Sequence, residues 1–198
     1  MSATGITNGN ENRITNIEAY ERYFDIDMYY PKSTNYRQRG TQKLEFALLL
    51  AARIGFLSPK VCGEVWQTQR HKTLAFLNKM VTDGLLLSAS TSRISDGRIY
   101  VLTYAGANYA KDLMKIDFPF RSTAEPIQQV NQNAIMHDAI LSYVLTAGIQ
   151  NCDANGNHKP LWKAVVTETE FKRLYPSNEV KNVDAIVLLN NDKIAAVE

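Results

Sequence analysis

Apolar residues fall into helical register from residue 44 onward. Leu44, Ala47, Leu48 and Ala51 share one helical face, with Thr41 as the N-cap and Gly55 as the stop. Ser58-Pro59 reads as an N-cap with proline at the first helical position, opening a short helix that carries Val61, Val65 and Trp66. Thr68 is the expected cap of a third helix, with Leu74, Leu77 and Val81 facing inward and Gly84 ending it. Two short apolar runs, Leu85 to Ala89 and Arg98 to Leu102, flank a polar turn containing Ser95-Asp96-Gly97 and predict a hairpin. Thr103 then caps a helix from Tyr104 to about Met114.

Helix, helix, helix, hairpin, helix is the order of a winged helix-turn-helix domain, here over residues 41–117. Residues 1–40 form an arm ahead of it. Residues 1–16 are polar and Asn-rich, which predicts disorder, and residues 17–36 carry Tyr20, Tyr23, Tyr29, Tyr30 and Tyr36 around Pro31, with a short helix at the start. The stretch from Asp117 to Pro126 holds two prolines and no periodicity, so a domain boundary is expected there. Residues 118–198 read as a helix from Ile127 to Thr146 and a polar loop from Asn151 to Pro160. A strand from Leu161 to Thr167 follows, then a turn-rich connection from Tyr175 to Asn182. A hairpin of Val183 to Leu189 and Lys193 to Val197 closes the pattern. The whole is an α+β chain with an α/β second half.

Charge sharpens this division. Residues 1–117 hold 15 Lys/Arg against 11 Asp/Glu, and residues 118–198 hold 7 against 9, so a basic half adjoins a mildly acidic one. In a helix-turn-helix the start of the second helix enters the major groove. Here that start is Gln69, Arg70, His71, Lys72 and Thr73, all hydrogen-bond donors, with the first inward position only at Leu74. Arg93 and Arg98 in the hairpin are placed for phosphates or the minor groove. From Gln67 to Tyr100 there are five cations and two anions, which favours double-stranded DNA over a merely solvated surface.

Other classes recede. The longest apolar runs, Phe46 to Ala52 and Ala185 to Leu189, are far short of a membrane span, and no signal peptide opens the chain, so a cytoplasmic protein is expected. Cys62 and Cys152 show no metal-ligand spacing and read as reduced thiols. There is no Gly-rich phosphate loop, and His71, His137 and His158 are scattered rather than clustered.

Val183 to Leu189 is a nearly continuous apolar strand interrupted by Asp184. A carboxylate in such a strand is costly unless paired or bound to metal. If the turn pairs Asn190 with Asp192, Asp184 falls opposite Glu198 on one face, where the two carboxylates would hold a divalent cation; a one-residue slip would separate them.

The Asp–hairpin–Glu arrangement resembles the PD-(D/E)xK nuclease core. With the "LTYAGANYA" helix, the "MHDAILSYVL" helix and the strand ending "VVTETEF", the chain resembles the replication-relaxation family and the related MOB-C relaxases over most of residues 41–198. That resemblance implies a restriction-endonuclease-like second domain and a plasmid mobilisation relaxase. Such an enzyme nicks one strand at a transfer or replication origin with Mg²⁺ or Mn²⁺, alongside other mobilisation or replication proteins. It implies Asp184 and Glu198 as metal ligands, Glu168 or alternatively Glu170 as a further acidic residue, and His137 as a phosphate-orienting or proton-relaying group. His137 is also in line with Val130, Ala134, Leu141 and Val144, so a core histidine is the competing reading. Val183 replaces the motif's proline, and the sequence stops at Glu198 in mid-strand, before the motif's lysine, as expected of an incomplete nuclease domain. The alternative is a non-enzymatic winged-helix regulator or replication accessory protein.

Overall fold

The computed structural model describes residues 17–176 and 181–198, which form seven α-helices and two small antiparallel sheets in a mixed α+β arrangement. The expected disorder of residues 1–16 lies outside the described residues, as does part of the turn-rich connection, residues 177–180.

Helix α1 spans Ile17–Phe24 and α2 spans Tyr36–Ile54. The start of α2 corrects the expected cap at Thr41. Asn35 is the N-cap, its side chain accepting from the backbone N–H groups of Arg37 and Gln38, while Thr41 lies inside the helix and donates to the Arg37 carbonyl. Gly55 ends α2 with φ 100°, a left-handed conformation that favours glycine. Helices α3 (Pro59–Trp66) and α4 (Arg70–Thr82) follow, then strands β1 (Leu86–Ser90) and β2 (Arg98–Leu102) and helix α5 (Tyr104–Met114), in the order the apolar pattern predicts. Gln69, rather than Thr68, occupies the cap position of α4, because the Thr68 hydroxyl is engaged with that of Thr73 at 2.9 Å. The β1–β2 register runs from Leu86 opposite Leu102 to Ser90 opposite Arg98, and Leu57 adds a bridge to Tyr100 on the other edge of β2.

The expected helix from Ile127 to Thr146 is broken. Pro126–Gln129 forms a short 3₁₀ turn, Val130 is extended, and α6 spans Ile135–Gln150. The Asn131 side chain accepts the Asn133 N–H, a local turn that competes with helical pairing. Strand β3 (Trp162–Thr167), helix α7 (Glu168–Leu174) and strands β4 (Ala185–Leu189) and β5 (Ile194–Val197) complete the chain. The three strands form one antiparallel sheet in the order β3-β4-β5, with β4 in the middle and its Ala185, Ile186 and Val187 buried. Helix α7 starts with a capping box: the Thr167 side chain accepts from the Glu170 N–H, and the Glu170 carboxylate accepts from the Thr167 N–H.

One buried apolar cluster runs from Tyr23 in α1 to Val187 in β4. Its centre is α2, whose Phe46 to Ala51 are all buried, and which packs against α5 and β2 as well as α6 and α7. A buried ion pair crosses the same region, with Arg53 of α2 donating from Nε and Nη2 to the two Glu170 oxygens, each at 2.8 Å, and from Nη2 to the Val165 carbonyl. Cys62 is buried, which pushes its thiol pKa up, and Cys152 is exposed; both are free thiols. No helix among the described residues is long and apolar enough to cross a membrane.

Candidate functional site

The start of α4 is the most donor-rich exposed surface the sequence reading singled out. Gln69, Arg70, His71 and Lys72 are exposed there, and the first turn of the helix has no acidic residue. Thr73 is a correction. It is fully buried, with its hydroxyl held by Thr68 and the Gln69 carbonyl, so it serves the α3–α4 turn and is withdrawn from any external contact.

The hairpin is fixed beside that tip by Asp96, whose role the sequence did not reveal. Ser58 was expected to cap α3 with its own side chain; instead its hydroxyl donates to the Asp96 carboxylate at 2.7 Å, and the same oxygen accepts the Lys60 N–H at 2.9 Å. The cap of α3 is therefore supplied from the hairpin turn. Arg70 leans on that turn, with Nη2 3.2 Å from the Asp96 carbonyl and Nε 3.9 Å from its carboxylate. The Arg70 side chain is 64% exposed, so this contact contributes at most ~1 kcal/mol and leaves the guanidinium free to turn outward. Tyr100 anchors the hairpin from behind through its hydroxyl to Asn78 of α4. Arg93 and Arg98 are both exposed along its outer edge.

A second group of cations precedes the tip in sequence, and two of its members reach the α3–α4 region. Residues 28–44 contain Lys32, Arg37, Arg39 and Lys43 and no acidic residue, a signal present in the sequence as a run of cations without anions. Lys32 donates to Gln67 in the turn before α4 at 2.5 Å, and the Lys43 ammonium sits over the rings of Trp66 and Phe76. Burial, reinforced by the nearby charges of Arg39 and Lys32, pulls the Lys43 pKa down. None of the four cations has a carboxylate partner among the described residues.

The acidic residues of the second half are separated by the fold into different roles. The β4–β5 register pairs Ala185 with Val197, so Asp184 and Glu198 stand across from one another one step beyond the ladder, where the Asp184 N–H donates to the Val197 carbonyl. Their carboxylates have separate partners: Asp184 is 3.2 Å from His137 Nε2, and Glu198 is 2.6 Å from Lys181. Glu168 lies at the start of α7 and pairs with Lys172 one turn on. Glu170 is fully buried and committed to Arg53 and the helix cap, which removes it from any solvent-facing site. Among the described residues no three His, Cys, Asp or Glu side chains gather as a metal-binding group.

His137 is half exposed on α6, so the core reading is overturned. Its Nδ1 lies 3.0 Å from Asp138 and its Nε2 3.2 Å from Asp184, and both nitrogens donate only in the imidazolium form. The hydrogen bond to Asp138 and then that to Asp184 push its pKa above the ordinary imidazole value, outweighing burial. The stability gained through this linkage is complete below the unfolded-state pKa and fades as pH rises through the raised folded value. In an NMR titration His137 is expected to deprotonate at higher pH than in unfolded chain, and Asp138→Asn to bring it back down. A midpoint unmoved by that substitution would mean the two groups do not interact.

Comparison of the chain with family models, curated proteins and solved structures gave no match.

Proposed function

We propose that α2 to α5 and the β1–β2 hairpin act as a winged helix-turn-helix that binds double-stranded DNA at a specific site, such as a transfer or replication origin. The observation that carries this reading is the start of α4, where Gln69, Arg70, His71 and Lys72 are exposed, Arg70 touches the turn of the hairpin that bears Arg93 and Arg98, and Lys32 bonds to Gln67 in the preceding turn. On this reading α4 reads base edges, while Arg93, Arg98, Lys32 and Lys43 contact phosphates. The test is selection of a binding site from random duplexes, followed by titration at several salt concentrations. Arg70→Ala or Lys72→Ala is expected to weaken specific binding by ~1–3 kcal/mol if the side chain reads a base. Lys32→Gln and Lys43→Gln are expected to lower the salt slope by about one each, irrespective of sequence. Failure to enrich any sequence, or variants that bind like the parent, would sink the assignment.

The facing positions of Asp184 and Glu198 favour a second reading, a metal-dependent nicking activity joined to the DNA-binding part. Mg²⁺ and Mn²⁺ prefer oxygen donors, and Mg²⁺ is commonly held by one or two carboxylates, with water and phosphate oxygens filling its shell. To offer such oxygens the two carboxylates would have to leave His137 and Lys181. The ion would polarise water for attack on a phosphodiester. Asp184 and Glu198 would hold it, and the imidazolium of His137 would donate to a phosphate oxygen. Supercoiled plasmid carrying the selected site should convert to open circle with Mg²⁺ or Mn²⁺ and not with EDTA, and Asp184→Ala should abolish conversion while binding persists. Tight binding without nicking under either metal would leave a winged-helix regulator.

A further inference from the structure

A cleft of about 480 Å³ lies between the end of α2, the segment after α5 and helix α7. That volume is within the range that admits a small organic ligand. Its charged lining is one-sided: Arg53, Arg121 and Arg173 reach it against the single carboxylate of Asp138, which already faces His137. Neither Arg121 nor Arg173 has an ion-pair partner among the described residues.

Two residues of the same lining each carry a buried, unsatisfied nitrogen. Arg53 spends Nε and Nη2 on Glu170 and the Val165 carbonyl, yet its Nη1 is buried without an acceptor among the described residues, and so is Gln129 Nε2. Both orphans are donors, and the Arg53 side chain is only 1% exposed. Leaving such a group unpaired is costly, and a bound acceptor is one of the few explanations a native fold offers. The wall formed by Leu102, Phe118 and Phe120 is apolar, and the Phe120 ring is only partly covered.

We propose that this cleft binds a nucleotide. The phosphate lies against Arg121 and Arg173, on the wall that Arg53 and Gln129 complete, and the base lies against Phe120. Guanidinium forks match phosphate oxygens in geometry and charge, and the aromatic ring supplies a stacking surface for the base. The same chemistry is presented by a free mononucleotide and by the 5′-phosphorylated end of a DNA strand. The site does not depend on the duplex contact assigned to α4, or on metal at Asp184.

Calorimetric titration of the full chain distinguishes these sources, using deoxyadenosine monophosphate, deoxyadenosine, and a short single strand with and without its 5′-phosphate. The monophosphate or the phosphorylated strand should bind, and whichever does identifies the source. Deoxyadenosine should bind at least ~10-fold more weakly than the monophosphate, since it lacks the charge-assisted bonds. Arg173→Ala and Gln129→Leu should each reduce the affinity, the former ~10- to 100-fold, with thermal melts confirming that each variant folds. Blunt-duplex binding measured in parallel should stay at the parental level. The proposal is overturned if no phosphorylated probe binds at millimolar concentration, if deoxyadenosine binds as tightly as its monophosphate, or if Arg173→Ala binds like the parent. Absence of duplex binding by the parent, with the phosphorylated probe still bound, would overturn the α4 assignment and leave this one standing.

Discussion

Arg53→Met is expected to destabilise the fold by about 3–5 kcal/mol, read as a lower midpoint in urea unfolding. Arg53 and Glu170 are both almost completely removed from water, and their bidentate pairing, with the Val165 carbonyl on Arg53 and the Thr167 N–H on Glu170, compensates each charge for its lost hydration. Removing the guanidinium strands a buried carboxylate that still serves the α7 cap, and deprives the Val165 carbonyl of its donor. Desolvation of the pair was costly to begin with, so the loss belongs to the orphaned partner and does not measure net attraction. Arg53→Met with Glu170→Gln should therefore recover at least half of the single-variant loss, because glutamine keeps the capping bond without a buried charge. A single-variant loss below ~1 kcal/mol would show that water reaches the pair after all.

Gly106→Ala is expected to lower the thermal midpoint strongly, with a loss of ~2–3 kcal/mol, although alanine is the better helix former. A Cβ at position 106 would stand 2.1 Å from the Leu85 carbonyl oxygen and 3.2 Å from the Leu102 side chain. The obstacle is backbone, and it is tethered: the Leu85 carbonyl accepts the Thr103 N–H, and the Thr103 hydroxyl in turn accepts the Gly106 N–H. Relief requires α5 to lift off the start of the hairpin. The propensity gain of about 1 kcal/mol for replacing a helical glycine is smaller than that disruption. Gly148 is a softer case, since a Cβ there meets the Trp162 ring, a side chain held by one hydrogen bond to the Leu145 carbonyl. A Gly106→Ala protein that melts with or above the parent would mean that α5 is not seated so closely.

Much of the first half was legible because its elements are long enough to show a period and are punctuated by Gly55, Pro59, Gly84 and Thr103. The β4–β5 register was legible for a different reason. The turn at Asn190 and Asn191, with Asp192 at φ 61°, fixes the register of a tight hairpin, and register follows from turn length. The early start of α2 was hidden because its first turns are polar and exposed, so apolar spacing begins only after the helix is under way. Helix α7 is seven residues long and shows no useful period, yet Thr167 and Glu170 carry the capping-box spacing that announces it. Reading that box would also have marked Glu170 as structural. The Arg53–Glu170 and Ser58–Asp96 contacts join residues 117 and 38 positions apart, and no local pattern encodes them.

The placement of α2 bears on how portable the proposed DNA-binding part is. Its Phe46 to Ala51 face is shared between α5 on one side and α6 and α7 on the other. A cassette cut out after α5 and grafted to another effector would carry α2 with its contacts to α6 and α7 newly wetted and Arg53 parted from Glu170. A working chimera would have to take α6, β3 and α7 along with it. The helix proposed to read DNA and the elements that pack around α2 would have to be inherited together.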